Sequence, residues 1–137
     1  MGGAPLNGDY LLDTHVWLWA LLDPGRLRKK TRGLLVSTDA KLWLSPISVW
    51  ETSLLVERGR LELDTNPRQW IRDAMTASGV GEASLNHEVA LQSHEVEVKH
   101  VDPADRFIAA TASVYQLILV TSDERLLRGS GYERMRA

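Results

Sequence analysis

Short apolar runs alternate along the chain with longer stretches in which apolar residues recur every three or four positions. The first pattern predicts strands, and the second predicts helices that pack by one face. The predicted strands are 10–13, 42–44, 117–120 and a weaker one at 80–85, with a short extended piece at 61–63. The predicted helices are 14–22, 26–37, one opened by Ser45-Pro46 and ended by Gly59, 67–77, 86–95, 103–115 and a short one within 124–137.

This alternation predicts an α/β fold, in which helices cover both faces of a parallel sheet and right-handed crossovers join the strands. Residues 117–120 are all apolar, which is typical of a parallel strand buried on both faces. A chain of 137 residues has room for one domain with an ordinary core. We expect residues 10–137 to form that domain and residues 1–9 to be a flexible N-terminal tail.

Composition narrows the chemistry further. The chain has no cysteine, which excludes disulfides, thiolate zinc sites and a cysteine nucleophile, and which is compatible with a reducing compartment. The N-terminus lacks a basic segment followed by an apolar one, and no apolar run approaches the length of a membrane span. We therefore expect a soluble cytoplasmic protein with no membrane partner.

Two acids stand just past predicted strands. Asp13 ends the first apolar run, and Asp123 follows the run 117–120 closely. In open parallel sheets the ligand crevice lies outside the carboxyl ends of the strands, so both carboxylates are placed to reach it. Each could instead cap a following helix, and Thr121 with Glu124 makes a possible capping box.

Glu51 stands in the apolar stripe of its helix. At about 100° per residue, Ile47, Glu51 and Leu55 fall on one line with Leu54 beside them. An unpaired charge buried there would cost several kcal/mol, roughly, so a metal, an arginine or a raised pKa must compensate for it.

Asp105 has two interpretations. In the segment 102–105, Asp102 suits the N-cap, Pro103 the first helical position and Asp105 the positive end of the helix dipole. Asp105 also shares a helix line with Ala109 and Ala112, which predicts an inward side chain. Taken singly, each acid can be structural. The coincidence of four acids at such positions predicts a divalent-metal site.

Net charge does not exclude a nucleic-acid partner. The formal charge is −2, but two divalent cations on the four acids would make it +2, since a bound ion changes the local electrostatics. A basic block predicts either a solvated surface helix or a phosphate-contacting face. It contains Arg26, Arg28, Lys29, Lys30 and Arg32.

Four segments resemble the acidic blocks of PIN-domain ribonucleases, and more narrowly those of the VapC toxins of bacterial toxin–antitoxin pairs. The resemblance covers about residues 10–127, in the family's order. The segments are 11–17 (LLDTHVW), 48–51 (SVWE), 102–106 (DPADR) and 120–123 (VTSD).

The resemblance implies a PIN-like three-layer fold with a central parallel sheet of four or five strands. It implies an endoribonuclease that depends on Mg2+ or Mn2+, with an RNA substrate, a VapB-like antitoxin and a homodimeric state. Asp13 and Asp105 would be the principal metal ligands, Glu51 a ligand or organiser of the attacking water, and Asp123 a second-site or water-mediated ligand. Thr14 and Thr121 would be hydroxyl helpers.

Other classes remain open. A magnesium-dependent phosphoacceptor receiver would need adjacent acids at the first strand, and an aspartate-nucleophile phosphatase would need Asp where this chain has His15. A catalytically silent PIN-like interaction module is a third possibility, which the complete acid set disfavours. Residues 59–100 match no motif, so substrate selection is not predicted.

Aromatic and basic residues could serve an RNA substrate. An exposed tryptophan could stack on a base, although most tryptophans here occupy core positions of helices or strands. Arg58, Arg60 and Arg106 could contact phosphate near the acids, with solvated ion pairing as the alternative. Trp19 and Leu22 could belong to a partner groove or to the core. The tryptophans are Trp17, Trp19, Trp43, Trp50 and Trp70.

Overall fold

Five parallel strands form one sheet in the computed structural model, which describes residues 8–99 and 102–137. The strands are β1 (Gly8–Leu12), β2 (Ala40–Leu44), β3 (Gly81–Glu82), β4 (Ile118–Thr121) and β5 (Glu133–Arg136). They lie in the order β3-β2-β1-β4-β5, and each neighbouring pair is parallel. The predicted parallel sheet is confirmed, and β1 lies at its centre.

Within residues 8–99 and 102–137, seven α-helices connect or follow the strands. They are α1 (Thr14–Leu22), α2 (Lys29–Val36), α3 (Pro46–Glu57), α4 (Pro67–Ser78), α5 (His87–Gln92), α6 (Pro103–Tyr115) and α7 (Glu124–Arg128). Three of them begin in the same way, with a proline at the first helical position behind a capping side chain: Ser45 for α3, Asn66 for α4 and Asp102 for α6. These residues satisfy backbone N–H groups that the first helical turn leaves free, so the sequence marks where each helix begins.

The sheet is buried between two hydrophobic clusters, one on each face. Tyr10 and Leu12 of β1 pack into one cluster, and Leu11 between them packs into the other. This alternation follows from the two-residue period of a strand. Helices α1, α2 and α4 contribute to the first cluster, and α6 and α7 contribute to the second. The result is the three-layer arrangement expected from the sequence.

Some predicted boundaries were wrong. Gly8 and Asp9 belong to β1 rather than to the tail, of which residues 1–7 lie outside the described part of the chain. The basic helix begins at Lys29 instead of 26, because Pro24–Arg26 form a short 3-10 turn. The strand predicted at 80–85 contains two residues, and 61–63 is not a strand. Across residues 8–99 and 102–137, no helix combines the length and the apolar character needed to cross a membrane.

Strand β5 was not predicted. Its sequence, Glu-Arg-Met-Arg, offers no apolar alternation, because this strand lies at the sheet edge and three of its four side chains are exposed. Pairing with β4 holds it, and the backbone amide of Ala137 donates to the Thr121 carbonyl at 2.9 Å. An edge strand of charged residues is a common way to prevent pairing with other chains.

Candidate active site

The four acids predicted from the sequence line one pocket, which we call the acidic cleft. It lies at the carboxyl ends of β1 and β4 and has a volume of about 380 Å³. Parallel strands direct their C-terminal residues to the same sheet edge, which explains how acids far apart in sequence meet there. The lining residues are Asp13, His15, Trp19, Glu51, Asp102, Asp105, Ser122 and Asp123.

Asp13 is the most deeply buried of these acids, with 7% of its surface exposed. It directly follows β1, and its backbone amide donates to the Val120 carbonyl at 3.0 Å. One carboxylate oxygen accepts from the backbone N–H of Thr14 at 2.8 Å, and the other accepts from the Thr121 hydroxyl at 2.7 Å. Asp13 therefore caps α1 and faces the cleft, so the structural and the chemical interpretations coexist.

Thr121 connects two of the acids. Its hydroxyl donates to Asp13 and accepts from the backbone N–H of Asp123 at 3.0 Å. The carboxylate of Asp123 caps α7 by accepting from the backbone N–H of Arg125 at 2.8 Å. The predicted capping box of Thr121 with Glu124 is wrong, since Asp123 is the N-cap and Glu124 pairs with Arg136 instead.

Replacement of Thr121 by Val should destabilise the protein by about 1–3 kcal/mol, because a buried carboxylate oxygen and a backbone N–H lose their partner. Thr121→Ser keeps the hydroxyl and should retain most of the stability. Urea denaturation of both variants measures this difference. A loss of unfolding free energy in Thr121→Ser as large as that in Thr121→Val would contradict the role of the hydroxyl, because serine retains it.

Glu51 is positioned by Thr14. The Thr14 hydroxyl lies 2.6 Å from a Glu51 carboxylate oxygen and 2.8 Å from the Ser48 hydroxyl. A hydroxyl has one proton to give, so Thr14 donates to Glu51 and accepts from Ser48. Sequence reasoning missed Ser48, which is fully buried. Its signal was its position three residues before Glu51, on the same face of α3.

Asp102 and Asp105 differ in their contacts: Asp102 caps α6, and Asp105 does not. Asp102 caps α6, since its carboxylate accepts from the backbone N–H of Asp105 at 3.0 Å. The Asp105 carboxylate is half-buried and lines the cleft. Ala109 and Ala112 on the same helix are fully buried, as the predicted inward face requires. Asp102 also lines the cleft, and sequence reasoning assigned it a capping role alone.

The acids disturb one another electrostatically. Burial raises the pKa of Asp13 and of Glu51, and hydrogen bonds from Thr121 and Thr14 partly oppose the effect. Burial, followed by the negative charges of neighbouring acids, raises the pKa of Asp105 to about 7. Among the described residues that line the cleft, His15 is the single basic one. The cleft therefore carries negative charge that a cation would compensate.

The donor chemistry of the cleft suits a hard divalent cation, because Mg²⁺ prefers carboxylate oxygens. Within the described ranges, however, no three His, Cys, Asp or Glu side chains are close enough to hold one ion together. Mg²⁺ commonly takes one or two carboxylates and completes its coordination with water and substrate phosphate. The residues thus fit an ion that a substrate helps to hold, and they do not form a closed protein cage.

Arg106 does not line the cleft, and backbone carbonyl oxygens hold its guanidinium. Its guanidinium donates to the carbonyl oxygens of Ser93, Val96 and Val98 at 3.3, 3.2 and 2.8 Å. These bonds attach the segment after α5 to α6. Both interpretations made from the sequence, phosphate contact and solvated ion pairing, are therefore wrong for Arg106.

The positions of other aromatic and basic residues agree more closely with the predictions from the sequence. Thr31 and Leu34 are the buried face of α2, and Arg32 is exposed, so the part of the basic block that lies in α2 is on a surface helix, while Arg26 lies in the preceding 3-10 turn. Its contact with phosphate stays a prediction. Trp17 is buried in the core, whereas Trp50 is 55% exposed.

The chain is similar to a known protein family and to a protein named as a ribonuclease. Residues 10–131 match the family described as the PIN domain. The chain is 33% identical over 119 residues to Ribonuclease VapC22 of Mycobacterium tuberculosis, which covers 85% of this chain and 88% of that protein.

Solved structures share the fold at lower identity. VapBC2 from Rickettsia felis bound to a DNA fragment from its promoter superposes with a TM-score of 0.70 at 13% identity, covering 95% of this chain and 99% of that one. DNA-bound VapBC from Salmonella typhimurium superposes with a TM-score of 0.67 at 16% identity, covering 93% and 97%.

Proposed function

The chain belongs to the PIN-domain family, and on that premise we propose that it is an endoribonuclease that hydrolyses RNA phosphodiester bonds with a divalent metal, Mg2+ or Mn2+. The observation that carries this proposal is the meeting of Asp13, Glu51, Asp105 and Asp123 in one cleft. The relative named as a ribonuclease supports the choice of reaction.

Each acid has a role that agrees with its surroundings. Asp13 and Asp105 would be the principal metal ligands, because Asp13 is the most deeply buried acid of the cleft and Asp105 faces the negative charges of the other acids, which an ion would compensate. Glu51 would hold the metal or orient the attacking water, and Asp123 would hold a second ion directly or through water. A bound ion would supply an activated water and stabilise charge on the leaving oxygen of an in-line displacement.

The two threonines hold the acids in place. Thr121 fixes one oxygen of Asp13, whose other oxygen accepts from the backbone N–H of Thr14, and the Thr14 hydroxyl fixes one oxygen of Glu51. Both carboxylates are therefore oriented before the reaction and lose little side-chain entropy during it. Both hydroxyls are buried, which keeps competing water away from these bonds. Their role as hydroxyl helpers is to position carboxylates rather than to react.

The proposed biological context is the toxin of a VapBC-type toxin–antitoxin pair in the cytoplasm. The superposed structures are VapBC complexes, which supports a VapB-like antitoxin as partner. Leu22 is 50% exposed and Trp19 is half-buried at the cleft, so α1 offers apolar surface to such a partner. The homodimer stays a prediction.

The alternatives fit less well. A silent interaction module has no need for three neighbouring acids, Asp13, Glu51 and Asp105, whose pKa values are all raised by burial, and shifted pKa values are typical of functional sites. A phosphoacceptor or phosphatase domain is disfavoured by the match to the PIN domain over residues 10–131.

Incubation of the purified protein with pooled RNA tests the proposed function. Cleavage is expected with Mg²⁺ or Mn²⁺ and not with chelator, and mapping of the new ends should place the cuts inside RNA chains. Restoring excess Mg²⁺ after chelation should restore cleavage, which excludes damage by the chelator. Undiminished cleavage in chelator would contradict the metal dependence, and intact RNA under all conditions would contradict the nuclease itself.

A further inference from the structure

A second groove lies beside the acidic cleft and is continuous with it. We call it the α3 groove, because one face of α3 forms its floor. Its volume is about 490 Å³, which is within the range of ligand pockets. His15, Glu51 and Asp102 line both the groove and the cleft. The groove residues of α3 follow helical spacing. They are Ile47, Trp50, Glu51, Leu54 and Leu55, and the C-cap residue Arg58 continues the spacing.

The groove combines apolar and charged lining residues. Trp50, which is more than half exposed, and Phe107 are among its apolar residues, and the acids Glu51 and Asp102 are shared with the cleft. Arg58 and Arg60 line the groove as well. Arg58 follows Glu51 by seven residues, which is about 10 Å at the helical rise per residue. Within residues 8–99 and 102–137, neither Arg58 nor Arg60 forms an ion pair.

We propose that the α3 groove binds the nucleotide next to the scissile phosphate of a single-stranded RNA. The base of this nucleotide stacks on Trp50, and its outer phosphate lies between Arg58 and Arg60. This inference rests on the proposed function, because it takes the acidic cleft as the site of cleavage.

The chemical groups of the groove match those of an RNA strand. A strand with one phosphate at the acids and its metal carries a base on the adjoining sugar and another phosphate further along its backbone. On α3, the exposed Trp50 stands next to the cleft acid Glu51, and Arg58 follows Glu51 by about two helical turns. Proteins that bind single strands combine aromatic platforms for bases with cations for the backbone. A purely apolar peptide would contact the apolar residues of the groove and leave its acids and its two arginines unmatched.

Substitution of Trp50 tests the stacking. Binding of a short fluorescein-labelled single-stranded RNA of random sequence is measured by anisotropy with Mg²⁺, in the Asp105→Asn background so that the RNA stays intact. Trp50→Leu should raise the Kd about tenfold or more, the loss expected for one base–aromatic stack, while Trp50→Phe should keep most of the affinity. An unchanged Kd in Trp50→Leu, or equal losses in Leu and Phe, would overturn the proposal.

The salt dependence of binding tests the two arginines. Each phosphate of a single strand that the protein neutralises contributes about −0.7 to the slope of log affinity against log salt. Arg58 and Arg60 hold the same phosphate, so Arg58→Gln with Arg60→Gln should flatten the slope by about 0.7. Arg68→Gln with Arg72→Gln removes the same charge from exposed positions on α4 and serves as the matched control. Equal changes of slope in the two double variants would contradict a specific phosphate contact.

Cleavage assays separate this inference from the proposed function. If the parent protein cleaves pooled RNA with Mg²⁺ and Trp50→Leu cleaves equally well, the inference fails while the nuclease stands. If the parent never cleaves, the proposed function fails. A Trp50→Leu variant that binds RNA normally but changes the particle mass in light scattering would assign the groove to a protein contact and overturn the proposal.

Discussion

Replacement of Asp105 by Asn is expected to abolish RNA cleavage and, in the same protein, to raise the melting temperature of the metal-free form. The amide has nearly the shape of the carboxylate but no charge. It cannot serve as an anionic metal ligand, so cleavage should fall at least about a hundredfold, the upper end of the loss seen when partners of metal ligands are removed. The helix cap is not affected, because Asp102 provides it.

The gain in stability follows from the raised pKa. Asp105 is ionised at pH 8 in both the folded and the unfolded chain, but in the folded chain its charge is half-buried and faces Asp13, Asp102, Glu51 and Asp123. A pKa of about 7 instead of 3.8 corresponds to at most about 4 kcal/mol of unfavourable interaction. Solvent screening reduces this figure, so we expect roughly 1–3 kcal/mol and a melting temperature several degrees higher.

Calorimetry in chelator at pH 8 and an RNA cleavage assay with Mg²⁺ measure the two effects. Asp64→Asn, an exposed acid that does not line the cleft, is the control and should change neither property. Opposite changes in stability and activity are the signature of a residue selected for chemistry. A variant that loses both together would instead identify Asp105 as a structural residue.

Helix starts were the most predictable features of the fold. Asp102 with Pro103 and Ser45 with Pro46 each combine a capping side chain with a proline, and the structure begins α6 and α3 there. These signals are local, since both the cap and the proline act on the first helical turn. Strand β5 has no comparable local signal. Its pairing with β4 depends on a partner that the chain forms elsewhere.

The sequence predicted the four acids that line the cleft, but it did not predict how they are arranged there. Strand exits located Asp13 and Asp123, and helical periodicity located Glu51. The sequence could not show whether an acid caps a helix or lines the cleft. Asp13 does both, whereas Asp102 caps α6 and leaves Asp105 to line the cleft. The roles of these acids in metal binding and catalysis stay predictions.

Contacts between distant segments could not be predicted from the sequence. The bond from Thr121 to Asp13 joins residues 108 positions apart, and the chain from Ser48 through Thr14 to Glu51 joins two helices. Periodicity gives the face of a helix, but it does not state which side chain of another element lies opposite. Arg106 shows the same limit, since its three carbonyl partners belong to a segment without any motif.

Mg²⁺ should stabilise the folded protein strongly at pH 8 and weakly at pH 5.5. A ligand that binds only the folded chain stabilises it by about 2.7 kcal/mol when its concentration is a hundred times the Kd. Binding requires ionised carboxylates, so protons compete with the metal. At pH 5.5, about 1.5 pH units below the pKa of Asp105, the apparent Kd for Mg²⁺ should rise about thirtyfold if that proton must leave.

The metal-free protein should show the opposite trend. A raised pKa means that the folded chain holds protons which the unfolded chain has already lost. The stability contributed by Asp105 is therefore complete below pH 3.8 and is lost as the pH rises to about 7. Asp13 and Glu51, whose pKa values are also raised, act in the same direction.

Melting curves with Mg²⁺ and with chelator across this pH range measure both trends, and Asp105→Asn provides the control. Loss of one carboxylate should reduce the stabilisation by Mg²⁺ at pH 8 and remove most of its dependence on pH. Stabilisation of equal size at pH 5.5 and pH 8 in the parent protein would place the metal away from these acids. Neutralising Asp105 and supplying Mg²⁺ relieve the same repulsion, so their stabilising effects at pH 8 should not add. Comparison of the melting temperatures of the parent protein and of Asp105→Asn, each with Mg²⁺ and with chelator, measures this.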